Sequence, residues 1–349
     1  MTDLIITALI LLIIGAFVIY KVQFQEAETV FDIDRTLALD FIFSIVIIFV
    51  HIPEQYQNCL SDFVGSFAYI GVSFFCMKAA YGVKYSYDNK ENYLKKFWNV
   101  RLKKILLPLL VVCIISFIYC FYNSNFNMFC LFYYDNIYGW IRVLLLFYIE
   151  FYLVYIGTEK VGNAILIKYR DAFLALLIIS QSIMDYTLHY NLIKGWNIER
   201  IGFVIGIILY NNKATIKKYI VNNWNRKIIL FLISTLLFGG LYLKFKESGF
   251  VGSYLIRGGL ETTFLILIIT IILKVKFQNR LIKIGGGIAY NIYVCHPLVF
   301  IILCGVCRKI TSGAFIGCTI VLTAILSYII SLIQRKLVKI VSGKVFWRK

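Results

Sequence analysis

The residues able to do chemistry are few, and each lies within or beside a long apolar run. His51 closes one such run, and Asp40 stands eleven positions before it. At about 100° per residue this spacing returns to within about 20° of one helical face, three turns apart. An imidazole, with an ordinary pKa of about 6.5, can take a proton from an attacking hydroxyl and later return it to a leaving group. Taken alone, His51 reads equally well as a histidine at a helix end among lipid headgroups. Arg35, about 160° round the same helix, is expected at the headgroups rather than on the His51 face. His296 belongs to the run Ala289-Tyr290-Asn291-Ile292-Tyr293-Val294-Cys295-His296-Pro297. Pro297 removes a backbone donor and kinks the helix, freeing carbonyls that other groups must satisfy, so a structural role is favoured for His296.

A charge at membrane depth costs several kcal/mol unless it is paired or faces a wet cavity. Lys78, Arg142, Glu150, Asp185, Arg257 and Glu261 are therefore candidates to line a polar cavity, with Tyr290, Tyr293 and His296 beside them. A packed ion-pair network accounts for them equally well. Arg257 and Glu261, four apart, are expected to neutralise each other. Arg101, Lys103 and Lys104, just ahead of Pro108, are of the type that pairs with phosphate, although their role in orienting the chain accounts for them too. No Walker loop and no Rossmann fingerprint is present. Cys304-Gly-Val-Cys307 has the spacing of half a metal site without a second ligand pair, so no metal is expected.

The elements that must position these groups follow from composition. Of the 349 residues 60% are apolar and only 15% charged, too little polar surface to solvate a water-soluble domain. With 17% aromatics and a mean hydropathy of +0.80, disorder is excluded as well. The net charge of +18 is spread in short clusters between apolar runs, so no nucleic-acid partner is expected and the lipid bilayer is the surrounding medium. The nine cysteines, mostly within apolar runs (Cys76, Cys113, Cys120, Cys295, Cys304, Cys307, Cys318), read as packing residues.

Eleven stretches approach the roughly 20 residues needed to span a bilayer: about 4–20, 37–52, 63–82, 105–122, 139–157, 171–190, 195–210, 227–243, 254–273, 286–306 and 314–334. The first lacks a basic flank and a cleavage pattern and is kept as a helix. The segment at 195–210 is short and opens with charge. Lysine and arginine concentrate in 83–104, 211–227, 274–284 and the tail from Arg335 to Lys349, and are missing from 53–62 and 123–138. That asymmetry predicts a cytoplasmic C-terminus and an external N-terminus. Tyr133, Tyr134, Tyr138 and Trp140 suit the headgroup layer. The expected fold is an all-α polytopic helical bundle. Its short external loops, Asn123–Tyr138 being the longest, argue against a multi-span glycan polymerase, and the lack of internal symmetry argues against a transporter or flippase.

Four segments together resemble the membrane-bound acyltransferase-3 family over roughly residues 30–335. Asp34-Arg35, Leu39-Asp40 and the run ending Val50-His51 resemble the family's opening helix, whose histidine closes an Arg-x10-His pattern. Val72-Ser73-Phe74-Phe75 resembles its Phe-Phe-x-x-Ser-Gly segment, and Arg101 to Pro108 the basic run and proline that follow. Gly202 to Tyr210 resembles a later glycine-containing span. Leu281 to Pro297 resembles the ending Gly-x-x-Ser-Tyr-x-Ile-Tyr-x-x-His-Pro. The chain departs from these patterns at Asp40, where arginine is expected, at Lys78-Ala79, where Ser-Gly is expected, and at Ala289, where serine is expected. The resemblance implies ten core transmembrane helices after one extra N-terminal helix: residues 1–30 form that helix and a cytoplasmic linker, and 31–349 a single transmembrane domain with a basic tail. It implies an O-acyltransferase of the cell membrane that moves an acyl group, acetyl above all, from cytoplasmic acetyl-CoA to a hydroxyl of an extracytoplasmic glycan or lipid-linked sugar. Acetyl-CoA is then a donor substrate and no cofactor is held permanently. His51 with Asp40 would be catalytic, and Arg101, Lys103 and Lys104 would hold the CoA phosphates.

Overall fold

The computed structural model describes residues 2–123, 138–187, 197–245, 252–306 and 310–342. The Asn123–Tyr138 loop beyond Asn123, with Tyr133 and Tyr134, lies outside the described residues, as do Cys307 and the tail from 343. The fold is all-α. Its helices are α1 (Thr2–Ile19), α2 (Ile33–Val50), α3 (Cys59–Gly65), α4 (Ala68–Asn89), α5 (Tyr93–Tyr122), α6 (Tyr138–Val161), α7 (Ala164–Thr187), α8 (Arg200–Asn211), α9 (Lys213–Val221), α10 (Trp224–Phe245), α11 (Gly252–Lys274), α12 (Arg280–Gly287), α13 (Ala289–Val306) and α14 (Ser312–Ser342). Two three-residue strands, β1 (Val22–Phe24) and β2 (Val275–Phe277), pair antiparallel and tie the segment after α1 to the end of α11.

Within the described residues each of the eleven apolar stretches is mostly helical. Eight helical segments among those residues are long and apolar enough to cross a membrane. The corresponding stretches on α2 and α7 carry more charge, and α8 is short. Large apolar side chains point outward all round, among them Leu12, Leu176, Leu236 and Val306, each about two-thirds exposed or more. Polar groups are instead gathered inside, the inversion expected when hydrocarbon replaces water outside.

Helix α4 is the central post, packed against α2 and α8, and buried along most of its circumference. Small residues permit that closeness. A Cβ on Gly206 would lie 2.2 Å from the Met77 carbonyl oxygen, so α8 can approach α4 only with glycine there. Gly286 does the same for α12 against α2, where a Cβ would fall 1.8 Å from the Leu37 carbonyl oxygen. The first helix is fixed to the last, not loose: Gly313 N donates to Asp3 at 3.4 Å, and Asn58 Nδ2 donates to Thr7 Oγ1 at 3.0 Å and to Ser312 at 2.9 Å. Asn58 also caps α3 through a reciprocal bond with Ser61.

One placement differs from the sequence expectation. Arg35 is not at a headgroup surface but 2% exposed, its Nη1 donating to the Ile272 carbonyl at 3.0 Å. The last-turn carbonyls of α11 lack intrahelical donors, and a guanidinium satisfies one of them while matching the negative helix end.

Candidate functional site

Helix α2 delivers His51 as its C-terminal cap, and the ring turns inward. It stacks on His296 of α13, with centroids 5.2 Å apart and planes 17° from parallel. His296 is completely buried, and neither ring nitrogen makes a well-formed hydrogen bond among the described residues. Two imidazolium rings at this separation would repel each other. The sequence favoured a merely structural His296. Its position facing His51 depends on α2 meeting α13, which no local spacing encodes.

Below the histidines, α13 presents one aromatic face at intervals of three and four residues: Tyr290, Tyr293, His296 and Phe300. Tyr293 meets the His296 ring edge-on at 5.7 Å, and Trp140 of α6 meets Tyr293 at 5.1 Å. Tyr290 OH donates to the Ile105 carbonyl of α5 at 2.9 Å, next to the Lys104 carbonyl that Pro108 leaves without its helical amide.

Asp40 does not approach His51: eleven residues of helix separate them by about 16 Å. Its partner is Lys78 of α4, in a direct ion pair. The Asp40 side chain is 5% exposed and that of Lys78 32%, so the lysine is the more open member of the pair. Between Ala68 and Ser86 the residues of α4 that escape burial are Phe75, Lys78, Ala79, Gly82 and Tyr85. They fall within an arc of about 120°. A Cβ on Gly82 would meet nothing within 4 Å. This open stripe leads from the Lys78 level towards the end of the bundle that carries the basic segment of α5.

At that end Arg101 is held over the stripe. Its Nε and Nη2 donate to Tyr93 OH at 3.0 and 2.7 Å, Nη2 also reaches the Gly82 carbonyl at 3.3 Å, and the guanidinium lies 5.4 Å over the Tyr148 ring. Lys103 and Lys104 are exposed. Lys84, counted with the basic loop, is instead 5% exposed and paired with Asp171 at 3.2 Å and Asp88 at 3.5 Å. A recess of about 610 Å³ at α9, lined by Lys213 and Lys217, lies apart from the histidines, and Lys217 is occupied by Glu26 at 3.6 Å and the Glu28 carbonyl at 3.1 Å.

The remaining sequence candidates form a second cluster. Asp185 pairs directly with Arg200, and both are buried or nearly so. Arg257 pairs with Glu199 at 3.8 Å and not with Glu261, the expected partner, because the start of α8 brings Glu199 alongside. Glu261 is completely buried next to Ser73 and the Gly202 backbone, and Glu150 is buried beside Gln181. Tyr254 OH shares a hydrogen bond with Ser182 at 2.7 Å, and Tyr186 OH one with Ser253 at 2.8 Å. Arg142 is exposed near the start of α6. Sequence reading missed Glu199 and Arg200, although an apolar segment opening with both signs of charge was the available clue. Among the described residues no three His, Cys, Asp or Glu side chains gather as metal ligands.

An acyltransferase domain profile matches residues 36–332, beginning after α1 and ending within α14. No curated protein and no solved structure matches the chain. The match takes in the facing histidines, the Asp40–Lys78 pair and the Arg101 segment alike, and so the chain belongs to the acyltransferase-3 family, a multi-pass membrane acyltransferase.

Proposed function

We propose that this membrane acyltransferase carries an acetyl group from cytoplasmic acetyl-CoA to a hydroxyl of an extracytoplasmic glycan or lipid-linked sugar at the plasma membrane. The observation that carries the reading is the inward-facing His51, stacked on His296 at the end of α2 remote from the basic segment. Lysine and arginine asymmetry orients the basic end and the C-terminus to the cytoplasm and the N-terminus outside. Donor and acceptor then approach from opposite ends, and the thioester meets the hydroxyl at the histidines.

His51 takes the proton of the acceptor hydroxyl as its oxygen attacks the thioester carbonyl carbon. The tetrahedral oxyanion collapses, the carbon–sulfur bond breaks, and the imidazolium returns its proton to the leaving thiolate, giving an ester and free CoA. His296, packed against the ring, fixes its orientation. Arg101, Lys103 and Lys104 hold CoA phosphates at the cytoplasmic mouth.

Mass spectrometry of surface glycans from cells with and without the gene tests the reading: a loss of one acetyl mass per modified sugar is expected on deletion. Complementation with His51→Ala should fail by about 10² to 10⁴ in rate at unchanged membrane abundance. Glycans unaltered by deletion, or full complementation by His51→Ala, would overturn the reading or the role of His51 respectively.

A further inference from the structure

We infer that Lys78, braced by Asp40, is the donor-positioning cation of this protein, and that it receives the diphosphate of the acyl-CoA. The inference rests on the acyl-CoA reading above and adds a residue to it. Three observations converge. First, the two charged departures from the family pattern, an acid at 40 and a base at 78, are each other's partners. The resemblance places a cation at 40 and a small hydroxyl at 78. This chain keeps one cation at the same junction of α2 and α4 and supplies it from the opposite helix, with Asp40 as its counter-ion.

Second, the pair is lopsided. A charge pair that served packing alone would be closed on both sides, because an open charge inside a membrane bundle is expensive. Here the carboxylate is buried while the lysine side chain is about a third exposed, on the same stripe of α4 as Gly82, where a Cβ would meet nothing within 4 Å. Asp40 Oδ1 has no further hydrogen-bond partner among the described residues, so the carboxylate is devoted to Lys78. Third, the spacing fits. Asp40 and His51 lie about 16 Å apart along α2. An extended pantetheine arm, with the backbone length of four to five residues, reaches about 15 Å. A diphosphate at Lys78 therefore puts the thioester at the histidines. Arg101, closer to the basic end and already held by Tyr93, is left for the outer phosphate.

The test is CoA affinity of the purified full-length protein by calorimetry, with acetyl transfer assayed separately. Because Lys78→Met alone would strand a buried carboxylate, the variant to compare is Asp40→Asn/Lys78→Met, which removes both charges. It should bind CoA and dephospho-CoA at least tenfold more weakly, bind pantetheine (which has no diphosphate) as the wild type does, and raise the donor KM more than it lowers kcat. Lys78→Arg should retain CoA affinity. Asp40→Arg/Lys78→Ser, which returns the cation to α2, should recover most of it. Equal CoA affinity of the wild type and the neutral pair overturns the inference, as does an equal loss for pantetheine. Absence of CoA binding by the wild type overturns both readings. A Lys78-dependent CoA affinity without acetyl transfer sinks the proposed reaction and keeps the anion seat.

Discussion

Two regions of the bundle hold intramembrane charge, and they are built differently. In the network of α7, α8 and α11, Asp185 meets Arg200, Glu199 meets Arg257, and hydroxyls of Ser182, Tyr254, Tyr186 and Ser253 bond to one another around them. Arg200 is 2% exposed, so the Asp185–Arg200 pair is closed, while Arg257 is 28% exposed. Along the seam of α2, α4 and α13, Lys78 is about a third exposed, Gly82 leaves room, and His296 has ring nitrogens without well-formed bonds among the described residues. Burial of charge therefore does not by itself mark a reacting site. What separates the two is that the network gathers its charges into ion pairs between buried helices, whereas the seam sets two stacked imidazoles at the end of α2.

The largest effect that would sharpen this contrast is on stability. Arg200→Leu should destabilise the protein by about 3 to 5 kcal/mol, because it leaves the Asp185 carboxylate uncompensated in a low-dielectric interior. Asp185→Leu/Arg200→Leu should recover most of that loss, since two apolar side chains avoid both desolvation costs. The melting temperature in detergent reads both. Should the double variant melt normally yet lose transfer activity, the closed network would have to be counted as part of the site.

Next in size is a pair of glycine substitutions that sets a closed contact against the open stripe. Gly206→Ala forces a methyl onto the Met77 carbonyl and the Ala80 side chain, and should cost about 1 to 3 kcal/mol through displacement of α8. Gly82→Ala meets nothing and should stabilise α4 by up to about 1 kcal/mol, the helix-propensity difference. Thermal unfolding of the two variants side by side measures the difference in sign. A destabilised Gly82→Ala would mean that the stripe is not open.

The helices were legible because apolar runs of membrane length declare themselves: within the described residues the eleven stretches read from composition are mostly helical. The family resemblance was legible in His51, Phe74-Phe75, Pro108 and His296-Pro297, residues whose order along the chain survives divergence. The pairings were not. That Asp40 would find Lys78, thirty-eight residues away, or that Arg257 would prefer Glu199 to the carboxylate one turn along its own helix, depends on how helices cross. Periodicity fixes which face a side chain shares, and says nothing of which neighbour meets that face. The same limit hid the His51–His296 stack, which joins residues from opposite ends of the chain.

The smallest expected effect tests the outer end of the seam. Arg101 holds its place through two hydrogen bonds to one tyrosine hydroxyl and by lying over the Tyr148 ring, so it needs the planar, forked guanidinium and not simply a positive charge. Arg101→Lys keeps the charge and loses the fork. With a cation–aromatic contact worth about 0.5 to 1 kcal/mol at a partly exposed site, the donor KM should rise roughly two- to fivefold with kcat unchanged. Arg101→Met, which removes the charge too, should raise it further at the same kcat. A fall in kcat comparable to that of His51→Ala would instead place Arg101 among the reacting groups, and the division of the seam into a donor-holding end and a proton-transferring end would have to be abandoned.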